Sequence, residues 1–131
     1  MITAIHKFIP MDIPKVTHQQ KRVNFQTRSF YEDKRLASAR DYFMIMLKSL
    51  VPEKPLEAPI LLKVMWCFYT KDKRKWDKYK TTRPDLDNHQ KLLQDCMTKL
   101  GFWQDDAQIA TLIITKIWDM EEGIEITAYT L

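Results

Sequence analysis

The segment Arg83–Gln108, RPDLDNHQKLLQDCMTKLGFWQDDAQ, predicts one complete helix with a pair of aspartates at each end. Asp87 stands at the position of a helix N-cap, Gln90 at the position that completes a capping box, and Gly101 supplies a left-handed stop. We therefore expect a helix from about Asn88 to Leu100. Apolar residues recur along one side of it, namely Leu86, Leu93, Met97 and Leu100.

The chain before this segment predicts a strand, a helix and a second strand. Residues 2–9 have the composition of a short strand, and residues 33–50 place apolar side chains at helical spacing before two prolines. Residues 60–69 (ILLKVMWCFY) are apolar on both alternating sets with one exception, which predicts a central strand covered on both faces. Residues 14–30 are polar and basic and carry no clear pattern.

The chain after this segment predicts two more strands. Ile109–Trp118 and Ile124–Leu131 are rich in β-branched residues and are joined by a short polar turn, so we expect an antiparallel hairpin. No internal repeat or low-complexity linker interrupts the chain. The predicted fold is therefore a single compact α/β domain over residues 1–131, with a mixed β-sheet, two main helices and a C-terminal hairpin.

The charge of the chain is divided between its two halves. The formal net charge is +4, but residues 1–84 hold 18 Lys or Arg against 8 Asp or Glu, whereas residues 85–131 hold 3 against 9. Such an asymmetry favours a polyanionic partner, although both signs could also be spread over solvated faces. The clustering of the basic residues favours the first interpretation.

Cysteine content and targeting signals narrow the protein class. Cys67 and Cys96 are neither in a CxxC pair nor near a histidine at zinc spacing, so we expect buried packing residues without disulfide or zinc. No stretch has the length of a membrane span, and Met1–Pro10 lacks a signal-peptide core, so a cytoplasmic protein is expected. With 2 glycines and no glycine-rich loop, nucleotide binding or another small-molecule cofactor is not predicted.

The two aspartate pairs predict a metal site. Asp85 and Asp87 are separated by Leu86, and in an extended segment residues two apart point the same way. Asp105 and Asp106 follow the turn at Gly101, so the start of the hairpin is expected to return beside the start of the helix. Magnesium prefers oxygen ligands and keeps several waters, so two or three carboxylates and a phosphate oxygen would suit it.

Several of these residues also have ordinary structural interpretations. Lys91, one turn after Asp87, could contact a phosphate or form a plain ion pair with Asp87. Asp87 could serve only as an N-cap, Asp105 could only shape a turn, and Asp95 at mid-helix could face solvent or the site. The three histidines have no partner that suggests a catalytic dyad, and His89 is a weak candidate to support the site; the others are His6 and His18.

A basic segment runs directly into the first aspartate pair. Its cations, with two aromatic residues that could stack on bases, form a candidate nucleic-acid surface, although a basic loop is often merely solvated. Trp103, beside the helix end, is predicted to be a packing anchor. Cationic side chains that bind phosphate, next to carboxylates that bind a metal ion, suggest a nuclease. The residues of the basic segment are Lys71, Lys73, Arg74, Lys75, Trp76, Lys78, Tyr79, Lys80 and Arg83.

These motifs together resemble the RusA-like Holliday junction resolvases. The resemblance rests on Asp85–Asn88, on Gln90 and Lys91, on Gly101–Trp103 and on Asp105–Gln108, with the spacing between them. It covers about residues 83–118, and residues 1–55 show nothing diagnostic.

The resemblance implies a homodimeric, magnesium- or manganese-dependent endonuclease that nicks four-way DNA junctions symmetrically on two opposed strands. It implies that Asp85, Asp87 and Asp106 are the essential, metal-binding carboxylates and that Lys91 takes part in catalysis. Asp105 matches a neighbouring acid and is an additional candidate. Such proteins occur in bacteria and especially in phages and prophages.

Two other functions remain open from the sequence. A metal-dependent nuclease on the same scaffold could act on flaps or replication forks instead of four-way junctions. A non-catalytic DNA-binding module would use the aspartates only to cap the helix and turn the chain. The set of Asp85, Asp87, Lys91 and Asp106 argues against the second alternative, because a protein without catalysis has no need of all four.

Overall fold

Strand β4, Ile60–Tyr69, lies at the centre of the fold and pairs with two other strands. The computed structural model describes residues 1–14, 22–24, 29–31 and 34–131, with side chains for 1–14 and 37–131. Most of the unpatterned stretch 14–30, including His18, lies outside these residues.

The sheet contains four strands in the order β1-β6-β4-β5. Strand β1 is Ile2–Pro10, β5 is Ile109–Asp119 and β6 is Gly123–Thr130. A separate antiparallel pair consists of β2, Arg22–Asn24, and β3, Ser29–Tyr31. The two helices are α1, Lys34–Lys48, and α2, Asp87–Leu100, and two 3-10 turns occupy Lys73–Lys75 and Asp106–Gln108. The predicted α/β class with a mixed sheet and two main helices is confirmed.

The C-terminal strands run antiparallel to each other and a short turn joins them, as predicted for a hairpin, but they do not pair with each other. The sequence did not predict that β4 lies between them. Strand β4 is parallel to β5, with Trp66 opposite Lys116, and antiparallel to β6, with Trp66 opposite Ile124. Strand β5 is therefore an edge strand of the sheet.

One face of β4 forms the core, whereas the prediction of cover on both faces is wrong. Alternate residues from Ile60 to Phe68 are fully buried. On the other face, Cys67 is buried, Leu61 and Met65 are half-buried, and Lys63 and Tyr69 are exposed. The nearly continuous apolar run suggested that both faces of β4 are buried, but half of its side chains line a face that is partly exposed to solvent.

Helices α1 and α2 cover the buried face. In α1 the residues at helical spacing, Ala39, Phe43 and Leu47, are buried, and the Phe43 ring meets Trp66 edge-on with centroids 6.4 Å apart. Helix α2 ends at Gly101, whose φ of 92° is the left-handed stop that the sequence predicted. Trp103 is buried and its indole N–H donates to Thr98 Oγ1 at 2.8 Å, which confirms it as a packing anchor.

In the described part of the chain, no helix is both long and apolar enough to cross a membrane.

Both cysteines are buried free thiols, as predicted. Burial, followed by the nearby Asp119 carboxylate, raises the pKa of Cys67 to about 12, and burial raises that of Cys96 to about 11. A thiol reacts through its thiolate, so both groups should be inert in the folded protein.

We expect neither cysteine to react with Ellman's reagent at pH 8 in the native protein, because burial disfavours the thiolate and blocks access. Two thiols should react once guanidinium unfolds the chain. Absorbance of the released thionitrobenzoate measures both. Rapid reaction of one equivalent in native buffer would contradict the burial.

Candidate nucleic-acid interface and aspartate pairs

The basic segment is attached to the edge of the sheet by backbone hydrogen bonds. The Asp77 amide donates to Trp118 O at 2.9 Å, the Trp118 amide donates to Lys78 O at 3.0 Å, and the Lys80 amide donates to Lys116 O at 2.9 Å. Residues 77–80 thus run antiparallel to residues 116–118, near the end of β5. The backbone of residues 77–80, which carries Lys78 and Lys80, is therefore held against the edge of the sheet.

Most of the predicted nucleic-acid residues are exposed, but two are not. Trp76 is half-buried and its indole N–H donates to Thr70 O at 2.9 Å, so it anchors the loop. Lys80 is 7% exposed, with its ammonium 4.2 Å from the Trp118 ring centroid and bonded to Thr82 Oγ1. Tyr79 is 78% exposed and is thus the aromatic side chain of this segment available to a ligand. The exposed cations are Lys71, Lys73, Arg74, Lys75, Lys78 and Arg83.

Asp72 organises the first turn of this segment. Its carboxylate accepts the Arg74 backbone amide at 3.1 Å and the Arg74 guanidinium at two oxygens, 3.0 and 3.2 Å away. The Arg74 side chain and amide lower the pKa of Asp72. Arg74 therefore remains on the surface in a defined orientation.

Lys116 is a residue near the candidate site that the sequence did not single out. It projects from β5 and its ammonium donates to Thr82 O at 2.6 Å and to Pro84 O at 3.0 Å. These bonds fix the turn that precedes Asp85, which contains the cis Arg83–Pro84 peptide. A lone lysine in a β-branched strand gives no sequence signal for this contact, because its partners are backbone carbonyls about 32 residues upstream.

The first aspartate pair is exposed around a buried leucine. Asp85 and Asp87 are exposed and Leu86 is buried, as predicted. The local backbone differs from the prediction, because Leu86 has right-handed helical angles and is itself the N-cap, whereas Asp87 is the first helical residue. The extended geometry assumed for this pair is therefore absent, and Asp87 does not cap the helix through its side chain.

Gln90 and His89 attach the start of α2 to the core. The predicted capping-box role of Gln90 is wrong, because its Oε1 accepts the Trp66 indole N–H at 2.9 Å and its amide donates to Gln94. The buried His89 ring faces two backbone carbonyls, that of Asp85 at 3.2 Å and that of Pro14. Lys91 is exposed one turn beyond Asp87.

The two members of the second pair have different environments. Asp105 accepts the Ala107 amide at 2.9 Å and forms a reciprocal capping box with Gln108, so it shapes the turn. Asp106 is exposed, and its pKa is raised by the Asp105 side chain first and by the Asp95 charge as a smaller cause. Asp106 is thus the carboxylate of this pair that is free of a capping role.

Within one chain the two pairs lie at different ends of α2. Helix α2 has 14 residues and so spans about 21 Å. Pro84 is bonded to Lys116 near the end of β5, whereas Gln108 donates to Leu56 O just before β4 begins. Since β4 and β5 are parallel, these positions lie at opposite ends of the sheet.

The expected return of the second pair to the start of the helix therefore does not occur within one chain. The physical reason is that the turn after Gly101 leads straight into a strand parallel to β4, at the sheet end remote from Asp85. Among residues 1–14, 22–24, 29–31 and 34–131, no group of three or more His, Cys, Asp or Glu side chains is arranged to hold a metal ion. A carboxylate set suits magnesium chemically, but Asp85, Asp87 and Asp106 do not come together within the described part of one chain.

The fold is an α/β domain with a mixed β-sheet. A cationic segment anchored to this sheet lies beside exposed aspartates, which gives the domain a surface suited to a polyanion. The chain belongs to the RusA endodeoxyribonuclease family, since the family model described as Endodeoxyribonuclease RusA matches residues 12–129. The resemblance inferred from the motifs is thereby confirmed.

Two relatives illustrate the family. The chain is 44% identical over 82 residues to a crossover junction endodeoxyribonuclease rusA of Lactococcus phage r1t, covering 59% of this chain and 63% of the relative. It is 51% identical over 35 residues to crossover junction endodeoxyribonuclease RusA of Escherichia coli strain K12, covering 27% of this chain and 29% of that relative. The chain thus spans less than two thirds of the length of each.

Lys116→Met should lower the free energy of unfolding by about 1–2 kcal/mol, because two backbone carbonyls lose a charged donor. Lys63→Met, at an exposed position on the adjacent strand β4, is the matched control and should change it by less than about 0.5 kcal/mol. Urea unfolding followed by tryptophan fluorescence measures both. Equal stability of the two variants would show that the Lys116 contacts do not hold the turn.

Proposed function

We propose that this protein is a metal-dependent endodeoxyribonuclease that resolves four-way DNA junctions by paired, symmetrical nicks. Family membership and the names of the relatives support this function. The observation that carries it is the position of the aspartates Asp85 and Asp87, directly after a fixed cationic segment. Carboxylates that can bind a metal ion and cations that can bind a phosphate backbone then lie next to each other on the surface.

The cationic segment is the proposed DNA surface. Its six exposed Lys and Arg side chains would bind phosphates, and Tyr79 would stack on an exposed base or enter the junction centre. Lys80 and Trp76 anchor this surface to the rest of the fold, because Lys80 packs on Trp118 and Trp76 donates to Thr70 O. DNA bound here would pass beside the start of α2.

The aspartates are the proposed magnesium ligands, with manganese as a substitute. Asp85, Asp87 and Asp106 would hold the ion, and a bound divalent ion polarises a phosphodiester and lowers the pKa of a bound water. Lys91, on the exposed side of α2, would contact the scissile phosphate or the charge that develops on it. Asp105 would keep Asp106 in place through the capped turn.

A homodimer gives these residues a way to meet. Because Asp106 lies at the far end of α2 from Asp87 in one chain, a ligand set that joins these two residues would use Asp106 of a second copy. A two-fold symmetric pair would contain two equivalent sites, which matches the two symmetrical nicks of a resolved junction. The proposed dimer thus supports both the metal site and the paired cutting.

Cleavage of an end-labelled synthetic four-way junction tests the activity. We expect magnesium-dependent paired nicks with the wild type, and a loss of roughly 100-fold or more in Asp87→Asn, because a metal ligand is removed. Asp41→Asn, a charge-matched change at an exposed position of α1, should cut normally.

Parallel reactions on a 5′ flap, a replication fork and linear duplex distinguish the substrates. Preferred cutting of a flap or fork would replace the junction by that substrate. Binding that is unaffected by EDTA, without cleavage of any branched DNA, would leave a non-catalytic DNA-binding module.

Mixing two inactive variants tests whether each site uses two copies. Asp87→Asn and Asp106→Asn should each be inactive, but a refolded equal mixture should recover about a quarter of the wild-type nicking sites, because heterodimers contain one intact site. The product should be singly nicked junctions instead of resolved duplexes. A mixture as inactive as its components would place all ligands of a site in one chain.

A further inference from the structure

Asp85 is an exposed residue between two buried neighbours, Pro84 and Leu86. Two peptide groups meet at its Cα atom, of which one carries the Pro84 carbonyl and the other carries the Asp85 carbonyl. Because a peptide group is planar, a hydrogen bond that holds its carbonyl also restricts the plane of the whole group. Bonds to both carbonyls would therefore restrict the backbone angles of Asp85 and the direction in which its side chain leaves the backbone.

The first of these carbonyls is held by a side chain of β5. The Lys116 ammonium donates to Pro84 O at 3.0 Å and to Thr82 O at 2.6 Å. Lys116 lies opposite Trp66 in the register of β4 and β5, and its own carbonyl accepts the Lys80 amide at 2.9 Å. The donor therefore projects from a strand whose backbone is bonded on both sides.

The second carbonyl faces a side chain of α2. His89 Nδ1 lies 3.2 Å from Asp85 O, and a carbonyl oxygen only accepts, so a hydrogen bond here needs a proton on Nδ1. The first backbone bond of α2 runs from the Gln90 amide to Leu86 O, so Asp85 O lies outside the helical ladder. The His89 ring is 1% exposed and packs edge-on against Trp66, with centroids 5.9 Å apart. Both side chains that face the two carbonyls thus lie beside Trp66 of the central strand.

We propose that Lys116 and His89 are positioning residues, which hold the two peptide groups on either side of Asp85 and thereby direct its carboxylate. This inference rests on the proposed function, in which Asp85 is a metal ligand. Catalytic groups must lie within about 0.5 Å of the productive geometry, and a displacement of about 1 Å can lower the rate about 100-fold. Neither positioning residue needs to touch the metal ion or DNA in this role.

Backbone order parameters from amide nitrogen relaxation test the proposal without DNA or metal. The Asp85 amide belongs to the peptide group of the Pro84 carbonyl, and the Leu86 amide belongs to that of the Asp85 carbonyl. Both should have order parameters of about 0.85 in the wild type, as in rigid backbone. Lys116→Met should lower the value for Asp85 to about 0.6, and His89→Gln should lower the value for Leu86 to the same extent.

Two amide variants separate the contacts of the His89 ring. An asparagine amide can occupy the place of Nδ1, whereas a glutamine amide reaches the place of Nε2, which faces Pro14 O. His89→Asn should therefore keep the bond to Asp85 O and cut four-way junctions within about threefold of the wild-type rate. His89→Gln and Lys116→Met should lower the single-turnover cleavage rate roughly 10- to 100-fold, while junction affinity in EDTA stays within about twofold.

Tyr42→Phe is the matched control, because it also removes a side-chain donor from a backbone carbonyl, that of Pro10. It should change neither the cleavage rate nor the two order parameters. Lys116 is only half-buried, so its variant tests the proposal even if a change at the buried His89 unfolds the chain.

Unchanged order parameters in Lys116→Met and His89→Gln would overturn the positioning role. Equal cleavage by His89→Asn and His89→Gln of an active protein would remove His89 from it, and a loss of junction affinity in place of cleavage rate would make Lys116 a DNA contact. Lowered order parameters in the variants of a wild type that cuts no branched DNA would keep the restraint on Asp85 and reject the proposed function.

Discussion

The hydrogen bond from the Trp66 indole to Gln90 Oε1 connects the centre of the sheet to the start of α2. A buried indole N–H is costly without an acceptor, and Gln90 supplies one in the core. This contact fixes how α2 lies across β4, and with it the position of Asp87 and Lys91 on the surface. The His89 ring packs against the same indole, with centroids 5.9 Å apart.

The second constraint comes from β5. Residues 77–80 pair with its backbone, and the Lys116 ammonium holds the carbonyls of Thr82 and Pro84. The chain from Lys71 to Asp85 crosses the surface without a long helix or strand, yet it is fixed at several points. A backbone that the fold already holds loses little further conformational entropy when a ligand binds, so binding along this segment would have a lower entropic cost.

Local patterns predicted the elements of this fold well. The bounds of β4, the left-handed stop at Gly101 and the buried Leu86 between two exposed aspartates all follow from short-range chemistry. The insertion of β4 between β5 and β6 was not predictable, because strand order depends on contacts between distant segments. For the same reason, sequence spacing placed the two aspartate pairs together, whereas the parallel pairing of β4 and β5 sets them apart. Lys116 was missed because its partners are main-chain atoms, which leave no mark in the sequence.

The burial of Lys80 affects how the cationic surface responds to salt. Its ammonium lies over the rings of Trp118 and Phe68, at 4.2 and 5.3 Å from their centroids. A cation that is covered by aromatic rings makes no direct contact with a phosphate, so it does not displace the counterions that are condensed on DNA. In the proposed complex, Lys80 would therefore add to the electric potential that attracts DNA but not to the release of ions on binding. The ionic-strength dependence of affinity should thus reflect fewer positive charges than the segment contains.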